Sequence, residues 1–465
     1  MHDLMMFLVL ALMMLCEWVQ SATRLEVLVL LPKNQFLGPS DVVYTGPAYE
    51  LAAESAMVKY GKNLSVSVTY LLQSPNRNYD DLPAYSVQMV SGFYYSRKPS
   101  DHAETCYAVA ASPVVDQPGL QSVTEAFDWI LFNVVLSNPK YPVRGNGAKS
   151  TAIATGGALV NYAIVLLEIL RFYDWHRAAL LVEVKPPGFS FHNDLAEIIA
   201  QTAVAAQDSF VLEKFGVDLG NQDATFEEAL LAAKRKFRVI VLLVPGVPAV
   251  KILQMTPRFG MANGEFAFFN LQFGVYGRPE QFEYNRKDSA LLAYQALIFI
   301  SYHTPKVAQV QTLNTALKER SRTFYNYTYA NGSQPLDSSA VEAAFNVVEL
   351  FAAVVNETSG GPDETCSGMK LASRMANRRF DLTLGNVFIN SAHLRNLELD
   401  IYSFNTTTKS LQVAGALNWQ TNRLEWKGSI SWPTVDGKAP PDTPLCGFSG
   451  NEGPCTTKGT VLIRL

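Results

Sequence analysis

The chain has 465 residues, of which 48% are hydrophobic and 17% charged, and its formal net charge is −4. This composition excludes an intrinsically disordered protein, and the weakly negative charge argues against a nucleic-acid-binding surface. The length predicts two domains, because single domains rarely exceed about 250–300 residues.

The N-terminal segment has the pattern of a secretory signal peptide. Residues 5–15 form an apolar run that is shorter than the roughly 20 residues needed to span a bilayer. Small residues follow at Ser21 and Ala22, where a signal peptidase cuts. We therefore expect residues 1–22 to be removed and the mature chain to be extracellular. The later sequence contains no apolar run of about 18 residues, which predicts that it has no membrane span.

Short apolar strands alternate with helices along most of the chain, which predicts an α/β fold with parallel sheets. Pro47 is predicted to lie in the first turn of a helix, and Ser339 with Glu342 to form a capping box. Runs at 396–404, 411–419 and 424–430 predict an antiparallel meander. Strands are predicted at 25–31, 64–72, 106–111, 178–183, 238–244 and 266–271, and helices at 46–56, 85–95, 123–136, 161–172, 193–204, 225–237, 289–301 and 339–355.

Four cysteines remain after signal cleavage, and an oxidising compartment allows them to pair. Cys446 and Cys455 enclose turn-forming Gly, Asn and Pro, which predicts a small disulfide loop. Cys106 and Cys366 have three open alternatives: pairing with each other, staying free, or linking to a second chain. Sequons for N-glycosylation, each predicting a glycan on a surface loop, occur at Asn63, Asn326, Asn331, Asn356 and Asn405.

The C-terminal stretch has the most specific order of residues. It contains, in order, Trp432-Pro433, Pro440-Pro441-Asp442, Cys446-Gly447-Phe448 and Pro454-Cys455. This set resembles the juxtamembrane signature of natriuretic peptide receptors and related receptor guanylate cyclases; a proline-rich tail pinned by one disulfide is the alternative. Shorter fragments similar to the same family occur in collinear order at 46–52, 175–180, 266–270, 293–296, 324–328 and 374–380.

The resemblance implies a two-lobed type I periplasmic-binding-protein-like fold. Each lobe would be a parallel sheet flanked by helices, and a strand meander would follow near the C terminus. After the signal peptide (1–22), the expected divisions are 23–147 and 289–375 for the first lobe, 148–288 and 376–432 for the second lobe, and 433–465 for a juxtamembrane-like disulfide tail.

The resemblance also implies a ligand surface in the second lobe. Aromatic side chains in the loops that follow the strands of this lobe would be typical binding hot spots. The alternative is that these aromatic side chains only cap the core of the lobe. Gln272 replaces an acidic residue of the family, so ligand specificity is expected to differ. The implied contact residues are Phe189, Phe191, Gln272, Phe273 and Tyr276.

A chloride site is the one ion site that the resemblance implies. It would involve Ser74, Thr105 and Cys106, since backbone amides that converge on one point bind anions. Thr105 stands where the family has glycine, and no mature cysteine precedes Cys106, so the family's first disulfide is expected to be absent.

The sequence contains none of the common catalytic motifs: GxGxxG, Walker A, HExxH, GxSxG and CxxC are all absent. We therefore expect no catalytic residue, no metal and no cofactor apart from chloride. The leading interpretation is a non-catalytic extracellular domain of a natriuretic-peptide-receptor-like or receptor guanylate cyclase protein. It would bind a peptide or small molecule as a homodimer. A secreted decoy or clearance protein, a small-molecule receptor of the same fold, and an enzyme of unknown type are the alternatives.

Overall fold

The computed structural model describes residues 22–32, 41–73, 82–111, 117–134, 150–184, 191–273, 290–303, 308–330, 333–358, 362–421 and 423–455. Four residues with predicted roles, Ser74, Phe189, Tyr276 and Asn331, lie outside these ranges, as does the predicted signal peptide apart from Ala22.

The first lobe is built on a five-stranded sheet in the order β2-β1-β3-β4-β5, in which every pairing is parallel. Its central strands are buried on both faces, as parallel sheets covered by helices require. The strands are β1 (Thr23–Pro32), β2 (Leu64–Gln73), β3 (Thr105–Ala111), β4 (Ile130–Asn133) and β5 (Ala152–Ala154).

The second lobe is built on an eight-stranded sheet in the order β15-β14-β13-β10-β9-β8-β6-β7. Strands β7, β6, β8, β9 and β10 pair in parallel, in that order across the sheet. Strands β13, β14 and β15 form the predicted antiparallel meander beside β10. These strands are β6 (Arg177–Glu183), β7 (Val211–Val217), β8 (Val239–Leu243), β9 (Ala267–Gln272), β10 (Leu297–Tyr302), β13 (Leu399–Asn405), β14 (Ser410–Asn418) and β15 (Arg423–Trp426).

Helices cover both sheets, and a hairpin of β11 (Arg378–Leu382) and β12 (Gly385–Ile389) packs into the core of the first lobe. The two lobes have separate hydrophobic cores, which confirms the predicted two-lobed α/β fold. The helices are α1 (Val42–Tyr60), α2 (Leu82–Ser96), α3 (Pro99–Glu104), α4 (Gln117–Phe127), α5 (Leu159–Phe172), α6 (Phe191–Ala205), α7 (Gln222–Lys234), α8 (Gly246–Met255), α9 (Leu291–Gln295), α10 (Gln309–Tyr325), α11 (Ser339–Asn356), α12 (Pro362–Thr365) and α13 (Gly368–Met375).

The chain crosses between the lobes three times: between β5 and α5, between β10 and α10, and between β12 and β13. Each crossing lies after the boundary expected from the sequence, at 148, 289 and 376 respectively. Each expected boundary lies before the last element of its segment. These last elements are short: β5, β10 and the β11–β12 hairpin. We propose these crossings as the domain boundaries.

Two predicted helices are wrong because short buried runs have no distinctive periodicity. The predicted helix 123–136 ends at Phe127, and Ile130–Asn133 forms the fully buried strand β4. The predicted helix 289–301 is helical only over Leu291–Gln295, before the fully buried strand β10. In both cases a buried strand was mistaken for part of a helix.

The segment Gly46-Pro47-Ala48 lies inside α1 and not at its start, which is Val42 with Asp41 as N-cap. Pro47 has no N–H to donate to the Val43 carbonyl four residues earlier. The hydroxyl of Ser321 in α10 donates to that carbonyl instead, at 3.0 Å. A Cβ on Gly46 would lie 2.7 Å from the Tyr325 hydroxyl. This segment therefore joins α1 to α10.

Candidate ligand-binding site and interlobe hinge

The carboxyl ends of the parallel strands of the second lobe form an edge at which ligands bind in open α/β sheets. Glu183 ends β6, Gln272 ends β9 and Tyr302 ends β10. Two of the predicted ligand contacts, Gln272 and Phe273, lie at this carboxyl edge. Phe191 is the first residue of α6, the helix that follows β6.

Gln272 is directed into the lobe, and its side chain is only 1% exposed. Its amide donates hydrogen bonds to the Val244 carbonyl at 2.8 Å and to Asn270 Oδ1 at 2.7 Å. Its own carbonyl accepts a hydrogen bond from the Tyr162 hydroxyl at 3.0 Å. Gln272 therefore fixes the end of β9, and the structure does not support a direct contact of its side chain with a peptide.

Phe273 is partly buried, and its ring contacts two residues that the sequence did not single out. The centroid of the Phe273 ring lies 4.9 Å from that of Tyr162 and 5.0 Å from that of His192. His192 Nδ1 is 3.7 Å from a carboxylate oxygen of Glu183, and both side chains are buried. Burial also raises the pKa of the Tyr162 phenol. In the sequence, the only sign of a role for Tyr162, Glu183 and His192 is their position at the end of a strand or near the start of a helix.

The hinge contains a buried ion pair between Arg395 and Glu342. The Arg395 Nη2 atom lies 2.6 Å from Glu342 Oε1, and the side chains are 8% and 3% exposed. Arg395 also donates to the Thr155 carbonyl at 3.4 Å and to the Tyr302 hydroxyl at 3.5 Å. One guanidinium therefore contacts the beginning of the first crossing, the end of β10 before the second, and α11 of the first lobe.

Glu342 was expected to cap its own helix in a capping box with Ser339, and this expectation is wrong. α11 begins with Ser338 as N-cap, and that residue makes no side-chain cap hydrogen bond. The carboxylate is used by Arg395 instead, because a buried cation is stable only with a partner. Arg395 and Glu342 are 53 positions apart in the sequence, so no local pattern pairs them.

A second pair reinforces the crossings. His303 Nδ1 lies 2.9 Å from Asp400 Oδ2, and the Asp400 side chain is almost fully buried. The backbone N–H of His303 also donates to the Glu398 carbonyl at 3.0 Å. Leu394 forms a parallel bridge with Ala154 at the edge of the first sheet. The third crossing is therefore bonded to both of the others.

The C-terminal signature attaches the tail to the second lobe. Trp175 Nε1 donates to the Pro440 carbonyl at 2.7 Å. The carboxylate of Asp442 accepts from the backbone N–H groups of His176, at 2.6 Å, and Arg177, at 3.0 Å. The tail is thus bound to the segment that begins β6.

Aromatic contacts complete this attachment. The ring of Trp432 lies 5.6 Å from Trp175, centroid to centroid. The guanidinium groups of Arg177 and Arg238 lie 5.8 Å and 5.1 Å from the ring of Phe448. The residues that define the signature in sequence are therefore those that hold the tail in place.

Two disulfides are present among the described residues. Cys446 pairs with Cys455, as expected, and Cys106 pairs with Cys366, which selects one of the three alternatives left open. Thr105 and Cys106 are buried in β3 and pair in register with β1. Because Ser74 lies outside the described residues, the chloride site stays a prediction.

The described sequons lie at the surface or partly exposed, and their glycosylation stays a prediction. Asn63 and Asn326 are exposed, whereas Asn356 and Asn405 are half-buried. Asn63 Nδ2 donates to Asn356 Oδ1 at 3.0 Å, so two of these side chains are direct neighbours.

Neither a metal cluster nor an exposed membrane helix is found within the part of the chain that the structure describes. No group of three or more His, Cys, Asp or Glu side chains there is arranged to hold a metal ion. Among the same residues, α11 is the one helix long and apolar enough to cross a membrane, and 78% of it is buried inside the fold. It packs against α1 as the core helix of the first lobe.

Comparison with known proteins agrees with this architecture. Residues 145–407 match the family model for the receptor family ligand binding region, the ANF receptor family. An amino acid ABC transporter substrate-binding protein from Pseudomonas fluorescens superposes with a TM-score of 0.53 at 13% identity, covering 85% of this chain and 96% of that one.

Curated relatives are receptors. The receptor-type guanylate cyclase gcy-28 of Caenorhabditis elegans is 27% identical over 52% of this chain and 19% of its own length. Atrial natriuretic peptide receptor 2 of Bos taurus is 25% identical over 49% of this chain and 23% of its own length. Atrial natriuretic peptide receptor 3 of Mus musculus is 21% identical over 63% of this chain and 54% of its own length. The chain therefore aligns with about a fifth of the length of the first two.

Two lobes, each with a parallel sheet, joined by three crossings define the type I periplasmic-binding-protein-like fold. The match over residues 145–407 covers more than half of the chain, so the chain belongs to the ANF receptor family of ligand-binding regions. The predicted resemblance to natriuretic peptide receptors and receptor guanylate cyclases is confirmed.

Proposed function

We propose that this chain is the extracellular ligand-binding region of a natriuretic-peptide-receptor-like or receptor guanylate cyclase protein, and that its ligand is a peptide. The observation that carries the proposal is the position of Phe273. It lies directly after β9 at the carboxyl edge, partly exposed, and its ring is supported by Tyr162 and His192. An aromatic side chain held rigidly at a surface is the usual anchor for a peptide ligand.

We propose Phe189, Phe191 and Tyr276 as further aromatic contacts of the peptide beside Phe273. Gln272 takes a positioning role, because its buried amide ties the end of β9 to Val244 and Asn270. Specificity would then depend on the aromatic residues and their loops, without a charged side chain at position 272. The ligand therefore need not be a natriuretic peptide.

The proposed mechanism is a change in the arrangement of the two lobes. A ligand shifts such an equilibrium only by its difference in affinity between the arrangements. The carboxyl edge adjoins the crossings, because Tyr302 ends β10 and also contacts Arg395. Movement of the second lobe would carry the tail with it, since Asp442 is bonded to the start of β6. We propose that this happens within a homodimer and that this region is not itself catalytic.

The test is peptide binding by the secreted protein. The wild type and a Phe273→Ala, Tyr276→Ala double variant are compared against a panel of natriuretic peptides and other peptide hormones. Loss of one aromatic hot spot costs about 2 kcal/mol or more, so the affinity of the double variant should fall by at least about thirtyfold.

A Phe324→Ala variant is the matched control, because that ring is 71% exposed on α10, away from the carboxyl edge. It should bind like the wild type. Unchanged affinity of the double variant for a peptide that the wild type binds would overturn the placement of the site.

A further inference from the structure

Two sequons meet in the first lobe, although 293 positions separate them in the sequence. Asn63 Nδ2 donates a hydrogen bond to Asn356 Oδ1 at 3.0 Å. Asn63 lies in the turn between α1 and β2, whereas Asn356 is the last residue of α11. α1 and α11 pack against each other in the core of this lobe, so the fold itself brings the two asparagines together. The atom of Asn63 that would carry a sugar therefore already contacts the second sequon.

The sequon at Asn63 has the features of a glycan acceptor. It lies in a surface turn, where N-glycans are attached, and both Asn63 and Ser65 are exposed. The backbone of the turn is held without the side chain. The N–H of Asn63 donates to the Tyr60 carbonyl at 2.8 Å, and its carbonyl accepts from the Thr23 N–H at 2.8 Å. A sugar replaces one of the two amide hydrogens, so the other can still donate to Asn356.

The sequon at Asn356 lacks these features. Asn356 is half-buried at the end of a core helix, and both residues that follow it in the sequon are bonded. Glu357 forms an ion pair with Arg378 at 2.7 Å. The Thr358 hydroxyl donates to a carbonyl of α11 at 2.9 Å and accepts from Arg374. The hydroxyl that completes this sequon is therefore used to close the end of the helix.

The contact between the two asparagines leaves room for one glycan. The amide of Asn356 belongs to the same carboxamide whose oxygen accepts from Asn63, so two glycans would place two bulky groups at one point. We propose that Asn63 and Asn356 form a single glycosylation site, in which Asn63 carries the glycan and Asn356 stays unmodified as the acceptor of its hydrogen bond. This proposal rests on the extracellular location proposed above.

The proposed glycan lies at the amino edge of the first-lobe sheet. Leu64 begins β2 directly after Asn63 and pairs with Thr23, the first residue of β1. The first crossing follows Ala154, which ends β5. Because every pairing in this sheet is parallel, these two points lie at opposite edges of it. A glycan on Asn63 would leave the crossings open and would keep the amino edge of the first lobe out of a homodimer contact.

The test is a map of glycan occupancy on the full chain, expressed in cultured animal cells. N-glycans are released enzymatically in heavy-oxygen water, which converts each glycosylated asparagine into labelled aspartate, and the peptides are analysed by mass spectrometry. A sample without the enzyme controls for spontaneous deamidation. Asn63 should be labelled and Asn356 should not. Label at Asn356, with or without label at Asn63, would overturn the proposal.

Two variants of Ser65 examine the role of Asn356. Ser65→Ala destroys the first sequon but keeps Asn63 and its hydrogen bond, so label should be lost at Asn63 without appearing at Asn356. Ser65→Thr is the matched control, because it keeps the sequon and should keep the label. Transfer of the label to Asn356 in Ser65→Ala would show that its place in α11 does not protect it, which would overturn the proposal.

The sequon at Asn326 separates this proposal from the one on location. Asn326 is exposed at the end of α10, and no second sequon asparagine is bonded to it among the described residues. Label at Asn326 without label at Asn63 would overturn the single-site proposal alone. Absence of label from every sequon would overturn it together with the extracellular location.

Discussion

The carboxylate of Asp442 accepts a hydrogen bond of 3.0 Å from the backbone N–H of Arg177, which precedes it by 265 residues. The same oxygen accepts from His176, and the neighbouring Pro440 carbonyl accepts from Trp175. The tail therefore does not hang free after the meander but is bonded to the beginning of β6. A displacement of the second lobe would therefore carry the tail with it.

We predict that Asp442→Ala destabilises the protein. It leaves two backbone N–H groups at the start of β6 without their charged acceptor, and the loss of such bonds costs about 1–3 kcal/mol. Urea unfolding measures the change. The control is Asp436→Ala in the same tail, where the carboxylate accepts from the nearby Lys438 N–H within a fully exposed turn. Equal stability of the two variants would show that the tail is not held by Asp442.

Breaking the hinge ion pair should have a larger effect. Arg395→Ala leaves the Glu342 charge buried without its partner, which costs about 3–5 kcal/mol. A double variant, Arg395→Met with Glu342→Leu, removes both charges and should recover most of that loss. The free energy of unfolding in urea measures both variants. A double variant as unstable as Arg395→Ala would mean that the guanidinium acts mainly through Thr155 and Tyr302.

Gly157, in the first crossing, should not tolerate a side chain. Its φ is +92°, and an added Cβ would lie 2.3 Å from Leu397 in the third crossing. Strain of this kind costs about 1–3 kcal/mol, so Gly157→Ala should lower the thermal midpoint. Gly428→Ala is the control, because no atom lies within 4 Å of its Cβ position. An unchanged midpoint for Gly157→Ala would show that the first and third crossings are not closely packed.

Alkaline pH should weaken the packing of the tail. Burial raises the pKa of Tyr173, which packs against Trp175 and Trp432, to about 12. An unfolded tyrosine ionises near pH 10, so the stability due to this neutral phenol is lost as the pH rises from about 10 to about 12. The free energy of unfolding, measured in urea at each pH over that range, should therefore fall less steeply with pH for Tyr173→Phe than for the wild type. The same pH dependence in the variant and the wild type would show that ionisation of Tyr173 does not weaken the packing of the tail.

The strands with long apolar runs and the meander could be predicted because their patterns are local. Leu25 to Leu31 and Ala178 to Glu183 are confirmed in this way as parts of β1 and β6. β4 and β10 could not, because a short fully buried strand has the same composition as a buried turn of helix. The collinear order of the short family-like fragments, together with the signature of the tail, was sufficient to identify the family.

The site was predictable only in part, because its geometry depends on residues far apart in sequence. Position 272 was correctly placed at a strand end, but only packing shows that its side chain turns inward to Asn270. The partnership of Arg395 with Glu342 depends on two lobes meeting, and no local pattern encodes it. Even a matching motif, the apparent capping box at Ser339, was misleading for this reason.

The most direct test of the central claim is amide hydrogen exchange of the whole purified protein, with and without the peptide that binds most tightly in the hormone panel. We predict slower exchange in the bound protein at the carboxyl edge, in segments 191–195 and 270–276, with a smaller change at the crossings. Protection confined to the first lobe, with exchange at 270–276 unchanged, would contradict the claim that ligand binds at the carboxyl edge of the second lobe.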